Sequence, residues 1–296
     1  MTDMSGWDGQ VEEIVRRALA EDLPWGDVTT ETLVPETAVA TGSFVFREPG
    51  VVCGLSVAAS VFRQINPDIV FTSGVAEGMQ VAAGATVAEV RGSARAILMA
   101  ERTALNLLQR MSGIATQTAK YVTAIAGTKA TIVDTRKTMP GLRLLDKYAV
   151  RCGGGSNHRF SLSDGVLVKD NHLEALGADG GGMGLTSALR RVREAMPHTL
   201  RMEVEVDRLG QIEAVIAGGA DTVLLDNMDP DQMREAVAMI AGRVHTEASG
   251  GITIKTVTEV ARTGVDLISV GALTHSVRAL DIGLDVSLVT LVEATG

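Results

Sequence analysis

Residues 221–251 read DTVLLDNMDPDQMREAVAMIAGRVHTEASGG, and this stretch decides the fold. It begins with a short apolar run that ends at Asp226, and it closes with a second run that leads into Ser and Gly. Between the runs, Asp229 and Pro230 are typical of a helix N-cap and first helical position, and Gly242 is typical of a helix end. A strand, a helix and a second strand in this order indicate a parallel βαβ unit.

The same alternation extends over most of the chain after about residue 113. Six strands are predicted, beginning at Thr131, Gly165, Arg201, Asp221, Val244 and Asp266. An open doubly wound sheet would concentrate its polar residues at one switch point, whereas here polar residues follow nearly every strand. The pattern therefore favours an α/β barrel.

The chain before residue 113 has a different pattern. Short Val- and Phe-rich runs broken by Gly predict strands within 41–53 and 68–90. Apolar periodicity predicts helices at 11–19, from a Ser56 cap to Pro67, and at 94–111 between Ser93 and Gly113. On the last of these helices, Arg102, Asn106 and Gln109 share the polar face.

Composition excludes several classes of protein. The formal net charge is −9, which disfavours a general nucleic-acid-binding or anionic-membrane surface. No apolar run approaches the roughly 18 residues of a membrane span, and the polar start MTDMSGWDGQ lacks signal-peptide features. Cys53 and Cys152 are far apart and imply no disulfide framework. We expect a cytoplasmic protein with no nucleic-acid or membrane partner.

A basic island interrupts this acidic chain between residues 134 and 169. Three acids, Asp134, Asp146 and Asp164, stand there against seven cations, namely Arg136, Lys137, Arg143, Lys147, Arg151, Arg159 and Lys169. Such an island indicates a small, strongly anionic ligand, and a solvated basic helix face is the alternative.

The strand ends supply the candidate functional residues, which a barrel would bring to one mouth. They are Arg136, Lys137, Lys169, Asp170, Asn171, Glu203, Glu205, Asp207, Asp226, Asn227, Ser249, Gly250, Gly251, Gly271, Ala272 and His275. Polar loops also begin at strand ends, so a structural explanation exists for any one of them.

The residue types at these strand ends fall into three groups. The cations, with His158 and Arg159 nearby, suit carboxylates and phosphates. Glu205 and Asp226 suit Mg²⁺ or ribose hydroxyls. The late Gly-rich turns suit a phosphate. The implied ligand carries carboxylates, a phosphate and a metal-bound polyphosphate.

Other motifs do not support a different site. The chain has no GxxxxGK[ST] and no GxGxxG after a strand, and its five His lack zinc spacing. The GGG at 153–155 is interpreted as a flexible turn, and GADGGGMG at 177–184 as a solvent loop.

Eight strings, in order along the chain, resemble the quinolinate phosphoribosyltransferase family. They are AERTALNLLQRMSGIAT (100–116), DTRKTMPGLR (134–143), KYAVRCGGGSNHR (147–159), VLVKDNH (166–172), EVEVD (203–207), LLDN (224–227), ASGG (248–251) and VGALTHS (270–276). The resemblance implies an N-terminal open α/β sandwich domain (1–112) and an incomplete, about seven-stranded α/β barrel (113–275). We further expect 276–296 to be a helical segment that packs on the N-terminal domain.

The resemblance also implies roles for the residues. Arg136, His158, Arg159 and Lys169 would bind quinolinate, with Arg102 contributed by the partner chain of a homodimer. Lys137, Glu205 and Asp226 would serve 5-phosphoribosyl 1-pyrophosphate, the two acids also holding Mg²⁺ directly or through pyrophosphate and water. Ser249, Gly250, Gly251 and Gly271 would hold the 5′-phosphate, and Ala272 and His275 would also bind substrate.

The expected reaction is decarboxylating phosphoribosyl transfer to quinolinate, with Lys137, Lys169, Glu205 and Asp226 as catalytic residues. Three alternatives remain open from the sequence. One is a related transferase with another acceptor, such as nicotinate. Another is a Schiff-base aldolase that uses Lys169. The third is a protein that binds these ligands without turnover.

Overall fold

The computed structural model describes residues 6–175 and 182–289. Its helices are α1 (Asp8–Asp22), α2 (Val28–Leu33), α3 (Leu55–Ile65), α4 (Ala94–Ala124), α5 (Arg143–Cys152), α6 (Asp170–Ala175), α7 (Gly182–Ala195), α8 (Ile212–Ala217), α9 (Pro230–Ile240), α10 (Val257–Arg262) and α11 (Ala272–His275). Its strands are β1 (Val39–Phe46), β2 (Gly50–Val51), β3 (Val70–Ser73), β4 (Gln80–Val81), β5 (Thr86–Ser93), β6 (Thr131–Val133), β7 (Val166–Val168), β8 (Met202–Val206), β9 (Thr222–Asp226), β10 (His245–Ser249), β11 (Leu267–Ser269) and β12 (Ile282–Val289).

The chain forms two compact units. Unit 1 comprises residues 1–119, 139–154 and 276–296, and unit 2 comprises residues 120–138 and 155–275. The limit at 119/120 and the expected boundary at 112/113 both lie within α4, which runs from Ala94 to Ala124. The mixed α/β fold, with an N-terminal sheet domain and a C-terminal parallel α/β domain, is confirmed.

Unit 1 is built on an antiparallel sheet in the order β12-β1-β5-β3, with β2 and β4 as a separate pair. Phe44 of β1, Phe62 of α3 and Phe71 of β3 pack together, with ring centroids 5.7 to 5.9 Å apart. Aromatic rings at such distances attract one another through edge contacts as well as by burial. This cluster holds α3 against one face of the sheet.

Two helix-end predictions in unit 1 are wrong. Gly113 lies inside α4, where a Cβ atom would come 2.2 Å from the Arg278 carbonyl oxygen, so the glycine permits a close approach of the chain. Ser56 is not the N-cap of α3, which begins at Leu55 after Gly54 in the left-handed region. The Glu77 carboxylate accepts the first backbone N–H groups of that helix instead.

The prediction of a C-terminal helix is also wrong. Ile282–Val289 forms strand β12, which pairs antiparallel with β1 from Phe46↔Ile282 to Val39↔Val289. Its side chains alternate in part between less and more exposed, which is the pattern of a half-buried strand. This strand belongs to the same unit as the N-terminal elements.

Unit 2 contains a parallel sheet in the order β6-β11-β10-β9-β8-β7. All six predicted strands are confirmed. A single parallel bridge between Val133 and Ser156 lies at the edge of β6 that does not pair with β11, where a seventh strand was expected. Within the described residues β6 and β7 do not pair, so the barrel is incomplete.

Helices of unit 2 connect the strands as the sequence pattern indicates. The Asp229 side chain accepts from the backbone N–H groups of Asp231 and Gln232 and caps α9, as predicted. In the Gly-rich stretch 177–184, which was predicted to be a solvent loop, Gly182–Gly184 instead belong to α7. Residues 177–181 of that stretch lie outside the described residues. No described helix has the length and apolarity needed to cross a membrane.

Candidate active site

A cavity of about 640 Å³ opens at the C-terminal ends of the unit 2 strands. It is lined by Thr135, Arg136, Lys137, His158, Arg159, Leu167, Lys169, Glu205, Leu224, Asp226, Asn227, Glu247, Ser249, Gly250, Gly251 and Ser269. Parallel strands all point their carboxyl ends to this side, so short polar segments after separate strands meet here.

One side of the cavity is cationic. The Nε atom of Arg136 is buried and, among the described residues, has no hydrogen-bond partner. Burial, and next the charge of Arg136, lower the pKa of Arg159, whose guanidinium also donates to the Gly165 carbonyl at 3.0 Å. Two neighbouring guanidinium groups of this kind suit an anion that accepts two hydrogen bonds.

The backbone and side chain of His158 are held from several directions. The buried Asp134 carboxylate accepts from the His158 backbone N–H at 2.9 Å and from the Asn157 amide at 2.6 Å. The His158 Nδ1 atom accepts from the backbone N–H of Arg159 at 2.7 Å, so this network assigns the ring proton to Nε2. Nε2 lies 2.9 Å from a Glu203 carboxylate oxygen and donates to it.

Glu247 is a buried carboxyl group of the cavity that the sequence analysis did not identify. It is 1% exposed, and one of its oxygens lies 3.7 Å from His158 Nε2. The other oxygen has no hydrogen-bond partner within the described part of the chain, and the same is true of one Glu203 oxygen. Burial, and next the charge of Glu203, raise the pKa of Glu247 to about 8, while His158 lowers it.

The raised pKa of Glu247 predicts a pH-dependent stability. The folded protein retains a proton that the unfolded chain releases above pH 4.5, so the stability due to this group falls between pH 4.5 and about 8. Relative to Glu247→Gln, the wild-type unfolding free energy should drop by on the order of 3–5 kcal/mol across this window. Denaturant unfolding at pH 5, 7 and 9 measures the difference. Glu89→Gln, at an exposed site, is the control, and its unfolding free energy should show the same pH dependence as that of wild type. Equal pH profiles for wild type and Glu247→Gln would contradict the raised pKa of Glu247.

The acidic side of the cavity carries Glu205 and Asp226. Glu205 forms an ion pair with Lys169 at 3.1 Å, and Asp226 accepts from the Asn227 amide at 2.8 Å. Carboxylate oxygens beside a polyphosphate are the donors that Mg²⁺ prefers, usually one or two per ion. The oxygen donors of these two residues therefore fit a magnesium ion.

Glycine turns shape the third part of the cavity. Asn227 and Gly251 have positive φ values of 53° and 59°, and Gly250 has 94°. A Cβ atom on Gly250 would lie 2.1 Å from the Asn227 Oδ1 atom, so only glycine fits there. Such turns expose backbone N–H groups to an anion.

Eight of the predicted residues do not line this cavity: the strand-end candidates Asp170, Asn171, Glu203 and Asp207, and four residues to which the resemblance gives a role. Gly271 lies beside it, since its Cβ would come 3.2 Å from the Lys137 side chain and 3.0 Å from that of His275. Ala272 and His275 begin and end α11. Arg102 has an exposed side chain on α4 in unit 1. The other predicted residues, from Arg136 to Gly251, are among those that line the cavity.

The residues that the sequence analysis missed are Thr135, Leu167, Leu224, Glu247 and Ser269; Asn227 was noted only as a strand-end residue. The strand that carries Glu247 reads HTEAS and is mostly polar, so the sequence held no signal that set this residue apart. The apolar residues carried no signal, because Leu167 and Leu224 match any barrel core.

The fold and the cavity define an α/β protein with an incomplete parallel barrel, whose strand ends form a cavity lined by cations and carboxylates. Residues 27–112 match the family model described as quinolinate phosphoribosyl transferase, N-terminal domain, and residues 114–285 match that of the C-terminal domain. The chain belongs to the quinolinate phosphoribosyltransferase family.

Individual relatives agree with this assignment. A nicotinate-nucleotide pyrophosphorylase (carboxylating) of Mycobacterium leprae is 48% identical over 281 residues, which cover 92% of this chain and 96% of the relative. A probable enzyme of the same name from Bacillus subtilis is 39% identical over 94% of both chains. The crystal structure of NadC from Streptococcus pyogenes has a TM-score of 0.89 at 37% identity, covering 97% of this chain and 98% of its own.

Proposed function

We propose that this protein transfers the phosphoribosyl group of 5-phosphoribosyl 1-pyrophosphate to quinolinate and releases pyrophosphate, CO₂ and nicotinate mononucleotide, in the cytoplasm and with Mg²⁺. The observation that carries this proposal is the cationic wall of Arg136 and Arg159, in a family whose relatives are named for this reaction. A dicarboxylate supplies the acceptors that these guanidinium groups need.

Quinolinate would occupy the cationic wall. Arg136, Arg159 and Lys169 provide three positive charges for its two carboxylates, and the His158 ring is fixed beside them. Leu167 and Leu224 are the apolar residues of the cavity lining and suit the pyridine ring. Fixing the acceptor in this way lowers the entropic part of the barrier.

The phosphoribosyl donor would occupy the remaining walls. Ser249, Gly250 and Gly251 suit its 5′-phosphate, and Lys137 suits its pyrophosphate. Glu205 and Asp226 would hold Mg²⁺, which when bound neutralises the charge on the pyrophosphate. The same carboxylates face the ribose and would stabilise positive charge that develops there.

The chemistry then follows in two steps. The pyridine nitrogen forms a bond to the ribose anomeric carbon while the bond from that carbon to pyrophosphate breaks, through a transition state similar to an oxocarbenium ion. The carbon–carbon bond to the adjacent carboxylate next breaks to release CO₂, and its electron pair is stabilised by the positive ring nitrogen. A proton then replaces CO₂ on the ring. We expect Lys169 to leave its ion pair with Glu205 and to contact the departing carboxylate.

The test is CO₂ release from carboxyl-labelled quinolinate by the purified protein with the phosphoribosyl donor and Mg²⁺. CO₂ and pyrophosphate should appear in equal amounts, and each should depend on both additions. Pyrophosphate release with nicotinate, without CO₂ from quinolinate, would assign another acceptor. Borohydride trapping of a substrate on Lys169 would instead indicate the aldolase.

We further propose a homodimer in which Arg102 completes the site of the partner chain. The exposed cation on the polar face of α4 motivates this assignment. Arg102→Ala and Lys169→Ala should each be nearly inactive alone, because each removes a charge from every site. Mixed dimers of the two variants should regain activity, since one of their two sites keeps both residues.

This prediction is checked by assaying heterodimers purified with two different affinity tags. The heterodimer of Lys169→Ala with wild type gives the activity expected from one intact site. In the matched control heterodimer, Lys169→Ala is paired with Arg17→Ala, a change at another exposed helical position, in place of Arg102→Ala. Verified heterodimers of Arg102→Ala and Lys169→Ala with no recovered activity would exclude a shared site.

A further inference from the structure

Unit 1 contains a cluster of three metal-ligating side chains that the proposed reaction does not use. A sulfur atom each of Cys53 and Cys152 and a carboxylate oxygen of Glu77 lie within 4.8 Å of one another. Cys53 follows β2, Glu77 precedes β4 and Cys152 ends α5, so three separate segments converge. Both cysteines are buried, and they are the only two of the chain.

The Glu77 carboxylate is fixed in this cluster. It accepts from the backbone N–H groups of Gly54 and Leu55 at 2.8 Å each, and from Ser56 at 3.4 Å. Among residues 6–175 and 182–289, no lysine, arginine or histidine forms an ion pair with it. Capping of α3 explains where the carboxylate lies, but it does not explain why both thiols of the chain adjoin it.

The cluster lacks a positive charge. Burial raises the pKa of Glu77 even though its hydrogen bonds lower it. Burial, and next Cys152 and Glu77, raise the pKa of the Cys53 thiol. Burial and the charge of Glu77 likewise raise the pKa of Tyr148, which adjoins the cysteines. The three ligand atoms lie within 4.8 Å of one another, so one cation could contact all of them.

Two sulfurs and one carboxylate oxygen select a particular class of cation. Thiolates favour zinc-like ions over Mg²⁺, which prefers oxygen ligands. Tetrahedral Zn²⁺ with bonds of about 2.3 Å to each sulfur places the two sulfurs roughly 3.8 Å apart. The two sulfurs lie at most 4.8 Å apart, which exceeds this separation by no more than about 1 Å.

We propose that Cys53, Cys152 and Glu77 form a binding site for a thiophilic divalent cation of the Zn²⁺ type. Binding breaks two S–H bonds and forms two metal–sulfur bonds and one metal–oxygen bond, so two protons are released and nothing is oxidised. Three protein ligands leave a fourth position for water. The ion would join three segments of unit 1 and stabilise their folded arrangement.

Titration of the reduced, chelator-treated full-length protein with Co²⁺ tests the site without any substrate. One Co²⁺ per chain should produce a thiolate-to-metal charge-transfer band, release two protons and raise the thermal unfolding midpoint. Because the chain has no third cysteine, the band can arise only from Cys53 and Cys152. Excess Mg²⁺ should not abolish the band, whereas Zn²⁺ should.

Variants locate the site and keep the test independent of folding. Cys53→Ser and Cys152→Ser should each lose most of the band and the metal-dependent rise in unfolding midpoint. Glu77→Gln keeps the side-chain shape and should bind more weakly, by roughly tenfold or more, while Glu89→Gln should bind as wild type does. Each variant is compared with its own metal-free form, so a lower starting stability does not affect the result.

Several outcomes would overturn the proposal. One is a folded wild-type protein that shows neither the band nor the proton release. Another is Co²⁺ binding that is unchanged in Cys152→Ser, which would place the ion elsewhere. A third is loss of two hydrogens with no metal uptake, which would identify the pair as an oxidisable dithiol. The assay uses no quinolinate, so its result is separate from that of the proposed function.

Discussion

Arg136→Ala is expected to lower kcat/KM for quinolinate by roughly 30-fold to several thousand-fold, which corresponds to about 2–5 kcal/mol. The guanidinium Nε atom is already buried and, among the described residues, unpartnered. The substrate would therefore supply its missing acceptor, and truncation removes both the charge and the paired N–H donors. Arg159→Ala should behave similarly, because the two guanidinium groups lie close enough to lower the pKa of Arg159.

Steady-state kinetics with each substrate varied in turn measure this effect. Arg136→Lys restores the charge without the planar fork and should recover only part of the loss. Arg234→Ala removes a half-exposed arginine of α9 and should leave kcat/KM near the wild-type value. Near-normal activity in both Arg136→Ala and Arg159→Ala would refute the cationic wall as the quinolinate site.

Gly250→Ala is expected to weaken use of the phosphoribosyl donor by more than tenfold. Its φ of 94° costs a residue with a Cβ about 1–3 kcal/mol, and the new atom would overlap the Asn227 side chain at 2.1 Å. The backbone must move, and the N–H groups that we propose to bind the 5′-phosphate move with it. Gly251→Ala is a matched control, because its Cβ meets nothing within 4 Å.

The comparison of these two variants separates the effect of close packing at Gly250 from the backbone strain that any residue with a Cβ suffers at a positive φ. Both positions have positive φ, so both lose the conformational freedom of glycine, but only Gly250 is also crowded. KM for the phosphoribosyl donor should rise much more in Gly250→Ala than in Gly251→Ala. Equal effects at the two positions would mean that close packing against Asn227 does not shape the phosphate site.

The sequence predicts the parallel sheet well because its strands and caps are local signals. Asp229 and Pro230 determine the start of α9 within a few residues of the chain, and the apolar runs determine the six strands. The reason for glycine at position 113 is not local, because it depends on the carbonyl of Arg278, far along the chain. In the sequence this glycine suggests a helix end, whereas in the structure it permits close packing within a helix.

The candidate site likewise contains residues that local sequence predicts and residues that only the tertiary fold identifies. Charged residues directly after strands, such as Arg136 and Asp226, could be placed at the cavity because strand ends share one side of a parallel sheet. Glu247 could not, since its importance comes from burial beside Glu203 and His158, which are on other elements. The convergence of Cys53 and Cys152 likewise requires the tertiary fold, as nothing in their spacing indicates it.

The pairing of β1 with β12 has a consequence for how the molecule is made. Val39 pairs with Val289, so the sheet of unit 1 cannot be completed until residues 282–289 have left the ribosome. Until then, the β1 edge that β12 will occupy exposes unpaired backbone N–H and C=O groups and is open to pairing with other chains. Contacts so distant in sequence also slow folding. During synthesis, unit 1 therefore depends on a final strand to protect it from aggregation.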